Sequence, residues 1–111
     1  KEYSQKLVNE VNRKFNITDK EGSVYYGTVR NVICNGIVNI TNKDMTKPII
    51  VTLNIHGSTV TFNVNAVPYS THNFTIKLSD EYSPTAAINY SFTSDSDFEV
   101  NGIFNFEILE V

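Results

Sequence analysis

From Ser23 onward apolar and polar residues alternate with a period of two, the pattern of strands that bury one face. Val60, Phe62 and Val64 alternate with Thr61 and Asn63, and His72, Phe74, Ile76 and Leu78 with Asn73, Thr75 and Lys77. Ile88, Tyr90 and Phe92 continue the same alternation. The pattern predicts strands over 24–34, 36–41, 49–55, 58–65, 70–78, 86–93 and 98–111. Asn35-Gly36 is the dipeptide that tolerates the positive φ angles of a type I′ turn, so a hairpin is expected there, with a second turning at His56-Gly57. Residues 41–48 read as a polar loop. In the last strand Phe98, Val100, Phe104, Phe106 and Ile108 share a face, and Gly102 is expected to form a bulge.

The first seventeen residues follow a different rule. Tyr3, Leu7, Val8, Val11 and Phe15 are spaced by threes and fours, which predicts an amphipathic helix over 1–17. Glu2 and Lys6, like Glu10 and Lys14, sit in the favourable i, i+4 orientation, and Arg13 with Lys14 complements the helix dipole. Turn chemistry between Asn16 and Gly22 separates this helix from a β-sandwich domain over 23–111. The expected fold is all-β: an immunoglobulin-like antiparallel sandwich of about seven strands preceded by one N-terminal α-helix. The Cys and Trp hallmarks of true immunoglobulin domains are missing, so the likeness is one of architecture.

Composition narrows the function classes. A chain of 111 residues holds one core. Charged residues make up 19% and the net charge is −3, which leaves no basic field for a phosphate backbone, so no nucleic-acid partner is expected. Asn and Thr supply the polar surface instead, as secreted and cell-surface proteins do. Cys34 is the single cysteine, which removes an internal disulfide framework and any thiolate-rich metal site, and its apolar setting reads as buried. No apolar stretch reaches the roughly 18 to 20 residues of a membrane span.

Candidate chemistry is sparse. His56 and His72 are the two histidines, and they show no ligand spacing. No nucleophile has an evident base, so no catalytic residues, no enzyme activity and no cofactor are expected. Asp95, Asp97 and Glu99 alternate within 94–100 as a carboxylate cluster of the kind calcium accepts, without the rest of any calcium-loop pattern, so no metal is expected. Four sequons make Asn16, Asn39, Asn73 and Asn89 glycosylation candidates, with Asn73 and Asn89 on the solvent side of their strands. Ile49 and Ile50 beside Pro48, and Ile103, Leu109 and Val111 on the last strand, form apolar surface that either the helix covers or a protein interface uses.

A helix leading into one Asn- and Thr-rich β-sandwich with sequons resembles the archaellin and type IV pilin-like surface proteins of archaea. Within that class the layout is most similar to the single-anchor archaellum accessory proteins, the FlaF and FlaG group. That resemblance implies a membrane-anchored protein whose extracellular sandwich forms a homodimer and binds the S-layer or another surface protein as a stator of archaeal motility. It implies no catalytic residues, and an anchor upstream of Lys1, the only membrane contact. Two other readings share the architecture: a calcium- or carbohydrate-dependent adhesin module using the acidic turn, and a viral structural β-sandwich.

Overall fold

The computed structural model describes residues 9–29, 31–66, 69–78 and 83–110, with the backbone alone at 9–12, 26–29, 31, 83–87 and 108–110. Eight strands follow one another: β1 (Asn9–Ile17), β2 (Glu21–Val29), β3 (Asn31–Asn42), β4 (Ile49–Ile55), β5 (Ser58–Val64), β6 (Ser70–Lys77), β7 (Ser83–Thr93) and β8 (Phe98–Glu110). They form two four-stranded sheets, ordered β1-β8-β3-β6 and β2-β7-β4-β5. The antiparallel pairs are nested: β1 with β8, β2 with β7, β3 with β6 and β4 with β5. An eight-stranded ribbon folded back at the β4–β5 turn has therefore been rolled up, and the extra contacts β3–β8 and β4–β7 close the roll. This is the jelly-roll arrangement. It replaces the expected immunoglobulin-like order and raises the strand number to eight.

The largest departure is at the start of the chain. Residues 9–17 are an edge strand, paired from Asn9↔Glu110 to Ile17↔Gly102, where a helix was expected over 1–17; residues 1–8 lie outside the described part. The domain thus begins before residue 23. Phe15 and Ile17 face the core two residues apart, and Arg13 occupies the next position on that side, opposite Phe106. A charged residue at an inward register conceals the period of two, while the chance spacing of Leu7, Val8, Val11 and Phe15 imitates a helix.

Asn35-Gly36 is the second departure. It is no hairpin turn but the middle of β3, which runs unbroken from Asn31 to Asn42. Val32, Cys34, Val38 and Ile40 point inward and Gly36 takes the same side. Gly102 is not a bulge: β8 pairs in continuous register through it with both Ile17 and Val38. The irregularities fall in β2 instead, between Tyr25 and Gly27 and between Gly27 and Val29. The second hairpin matches expectation, with His56 at φ 48° and Gly57 at φ 83°, the left-handed pair a type I′ turn requires.

Phe104 joins the two sheets. Its ring meets Phe74 of its own sheet at 5.5 Å and Tyr90 of the other at 5.3 Å, both edge to face, with Phe106 and Phe92 at 6.4 and 6.3 Å. Each fully buried side chain of this size contributes about 1.5–3 kcal/mol. The loop between β3 and β4 is held by the buried Asn42, whose Nδ2 donates to Lys47 O at 2.7 Å and Asn65 O at 3.4 Å. Asn42 Oδ1 accepts Asp44 N at 2.8 Å, and Asp44 Oδ1 accepts Thr46 N at 3.0 Å, two successive Asx turns.

Candidate functional site

The expected interface residues do not share one surface. Ile49 faces inward and joins the core, correcting its assignment to the surface. Ile50 faces outward from β4, 58% exposed, in a groove with Pro48 and residues 94–96. Ile103 faces outward from β8, on the opposite sheet, 43% exposed. Leu109 pairs with Glu10 and Asn31, with only its backbone described, and Val111 lies outside the described residues.

Ile103 has a partner that sequence reasoning missed. It stands directly opposite Ile37 of β3, which is 57% exposed. Ile37 was hidden by the mistaken turn at Asn35-Gly36, although the alternation of Cys34, Val38 and Ile40 on one side could have placed it on the other. Around this pair the outer face of the β1-β8-β3-β6 sheet is a field of amides and hydroxyls. Thr75 Oγ1 donates to Asn35 Oδ1 at 2.8 Å, Thr71 Oγ1 to Asn39 Oδ1 at 2.6 Å, and Asn39 Nδ2 to Asn101 Oδ1 at 3.3 Å. By register Lys14 lies in the neighbouring row, opposite Asn105, and Glu107, Lys77 and Glu99 lie two rows away. Tyr69, also exposed, lines a recess with Asn39, Thr41 and Asn101.

The outer face of the other sheet carries a groove of about 740 Å³ between β2 and the β4–β5 turn. Glu21 and Ser23 form one wall, Asn54 and His56 the other, and Asn89 and Ser91 the floor. Ser23 Oγ donates to Asn89 Oδ1, and His56 N donates to Asn89 O at 3.3 Å. These hydrogen bonds fix the groove without aligning a base on a nucleophile.

The acidic turn is engaged by cations of the protein itself. Asp97 pairs with Lys20 at 3.3 Å and Glu99 with Lys43 at 3.5 Å, while Asp97 Oδ1 also accepts Phe98 N. Asp95 is exposed. Among the described residues no group of three or more His, Cys, Asp or Glu side chains could hold a metal ion.

Ser70 Oγ lies 2.7 Å from His72 Nε2, which on distance alone resembles an activated hydroxyl. Burial lowers the His72 pKa, and its ring packs at 5.2 Å on Phe62, an arrangement that fills the rim of the core. Among the described residues no carboxylate is bonded to its other nitrogen to orient it as a base. Cys34 is fully buried, and desolvation pushes its thiol up to about 12, so no thiolate forms near neutrality.

The four sequon asparagines occupy different settings. Asn16, Asn39 and Asn73 lie on the outer face of the β1-β8-β3-β6 sheet and Asn89 on that of the other.

No family model matches the sequence, and no curated protein does. Among solved structures, a chain of the infectious bursal disease virus Gx strain superposes with a TM-score of 0.59 at 13% identity, over 87% of this chain and 32% of that one. This chain therefore spans about a third of its length. The likeness is one of fold. A chain of Desmodium yellow mottle tymovirus covers 93% of this chain and 88% of its own at 12% identity, with a TM-score of 0.34 that is too loose to argue from.

Proposed function

We propose that this chain is a non-catalytic structural module, a jelly-roll domain of the viral structural kind that takes its place in an assembly through protein contacts. The nested roll supports this reading, since double-sheet jelly rolls serve as building blocks of shells and as lectin domains, and the fold of the infectious bursal disease virus chain agrees with it. The large apolar side chains left exposed on regular strands make contact the function to explain.

The carrying observation is Ile50. An isoleucine 58% exposed on the outward side of a regular strand, in a groove with Pro48, contributes nothing to the core and is the kind of anchor an interface buries. Its proposed partner is a second copy of the chain. Ile50→Lys is expected to lower the mass measured by light scattering from dimer to monomer while the far-ultraviolet circular dichroism stays unchanged. Equal mass for both proteins would refute the contact.

The resemblance to archaellum accessory proteins leaned on a helix leading into the sandwich. Residues 9–17 are instead a strand of the roll. The viral-type reading uses the whole of the observed topology and is preferred for that reason. A surface built from Asn and Thr supports placing the domain outside the cell or on the outside of a particle.

A further inference from the structure

The fold sorts the four sequons into two pairs. Asn39 and Asn89 lie on central strands, β3 between β8 and β6, and β7 between β2 and β4. Their amides are engaged: Asn39 Nδ2, the atom a sugar would replace a hydrogen on, donates to Asn101, and its Oδ1 accepts from Thr71. Asn89 accepts from Ser23 at the floor of the groove, between walls on either side. Asn16 and Asn73 differ in position: exposed and outward like Asn89, they lie on β1 and β6, the two edge strands of one sheet.

Asn16 and Asn73 also share one row. Asn16 is opposite Ile103, Ile103 opposite Ile37, and Ile37 opposite Asn73. Across the sheet the row reads Asn-Ile-Ile-Asn, an exposed apolar pair bracketed by two acceptors. Three interstrand spacings of about 4.8 Å put the asparagines about 14 Å apart, with each isoleucine one strand from the nearer one. The first sugars of a glycan on either side reach that far.

We propose that Asn16 and Asn73 are N-glycosylation sites whose glycans cover the Ile37–Ile103 pair. In each transfer Nδ2 forms a bond to C1 of the first sugar of a polyprenyl-phosphate-linked oligosaccharide. The C1–O bond to the phosphate breaks, the phosphate leaves with that electron pair, and the amide gives up one proton. Thr18 and Thr75 supply the hydroxyl two residues on that the acceptor sequence requires. Covering the row hides apolar area that is otherwise open to association. A glycan on each edge strand also blocks the pairing of that edge with a foreign strand. This goes beyond the proposed contact at Ile50, which lies on the other sheet, so the two can fail separately.

The test uses the protein secreted from a host with an N-glycosylation pathway. In the folded fraction, glycopeptide mass spectrometry before and after peptide N-glycosidase should find sugar on Asn16 and Asn73 and none on Asn39 or Asn89. The N16Q/N73Q variant should associate more strongly than the glycosylated protein in light scattering, and adding Ile103→Thr should remove the gain. Ile50→Lys should leave site occupancy unchanged. Bare Asn16 and Asn73, comparable occupancy of Asn39 or Asn89 in folded protein, or unaltered association of N16Q/N73Q would each overturn the proposal.

Discussion

The ring of Phe74 rests on Gly36: a Cβ at Gly36 would stand 2.0 Å from Phe74 Cε2. The two are direct partners across the β3–β6 ladder, and the ring goes on to touch Phe104 and Phe62. The glycine is therefore required by an aromatic ring in the neighbouring strand rather than by a turn in its own.

Gly36→Ala should cost about 1–3 kcal/mol, the usual penalty for overpacking a filled core. Urea unfolding would measure it. Phe74→Leu introduced on top should cost less than it does alone, because the ring has already been displaced. Additive losses would show that the ring does not depend on the glycine.

Asn42→Ala should destabilise the protein by about 1–3 kcal/mol, since it removes a fully buried side chain whose hydrogen bonds tie the β3–β4 loop to Asn65. Asn42→Asp keeps the acceptor for Asp44 N but loses the donor to Lys47 and Asn65. A loss of stability with Asp as well as with Ala, read by thermal unfolding, would identify the donated bonds as the ones that matter.

The Cys34 thiol should resist alkylation in native protein and react fully in denaturant. Its native pKa, pushed up to about 12, lies above the ordinary 9.0, so the unfolded chain loses this proton first as pH rises. Cys34 therefore adds stability that is complete below about pH 9 and drains away toward pH 12. The comparison is with Cys34→Ala, which keeps every other titrating group and whose stability should fall less steeply there. Parallel pH profiles for the two proteins would contradict this.

His56 occupies the left-handed region at φ 48°, where a side chain with Cβ is strained and Asn is tolerated. His56→Asn should stabilise the β4–β5 hairpin by about 0.5–1 kcal/mol. A raised melting temperature is the expected result, and an unchanged one would mean the histidine makes a compensating contact.

That hairpin was legible because turn chemistry and alternation agreed within fifteen residues or so of chain. β6, β7 and β8 were legible for the same reason. β1 was not, because an inward position carries Arg13, and its real partners lie in β8 at the far end of the sequence. β3 was cut in two because Asn-Gly is both a turn signal and a seat for Phe74, and the ring that decides between them lies far along the chain. The surface suffered accordingly. Ile50 and Ile103 were found as outward residues, but Ile37 became visible only once β3 was whole, and with it the row that links Asn16 to Asn73.

The nesting of the strands has a consequence in time. β8 is inserted between β1 and β3 and is their shared partner along most of their lengths. While a ribosome is still making it, β1 has no neighbour and β3 only β6, so the sheet has a gap one strand wide. Such distant pairing folds slowly. Until the last strand arrives, any extended segment of another chain with suitable alternation can compete for that slot.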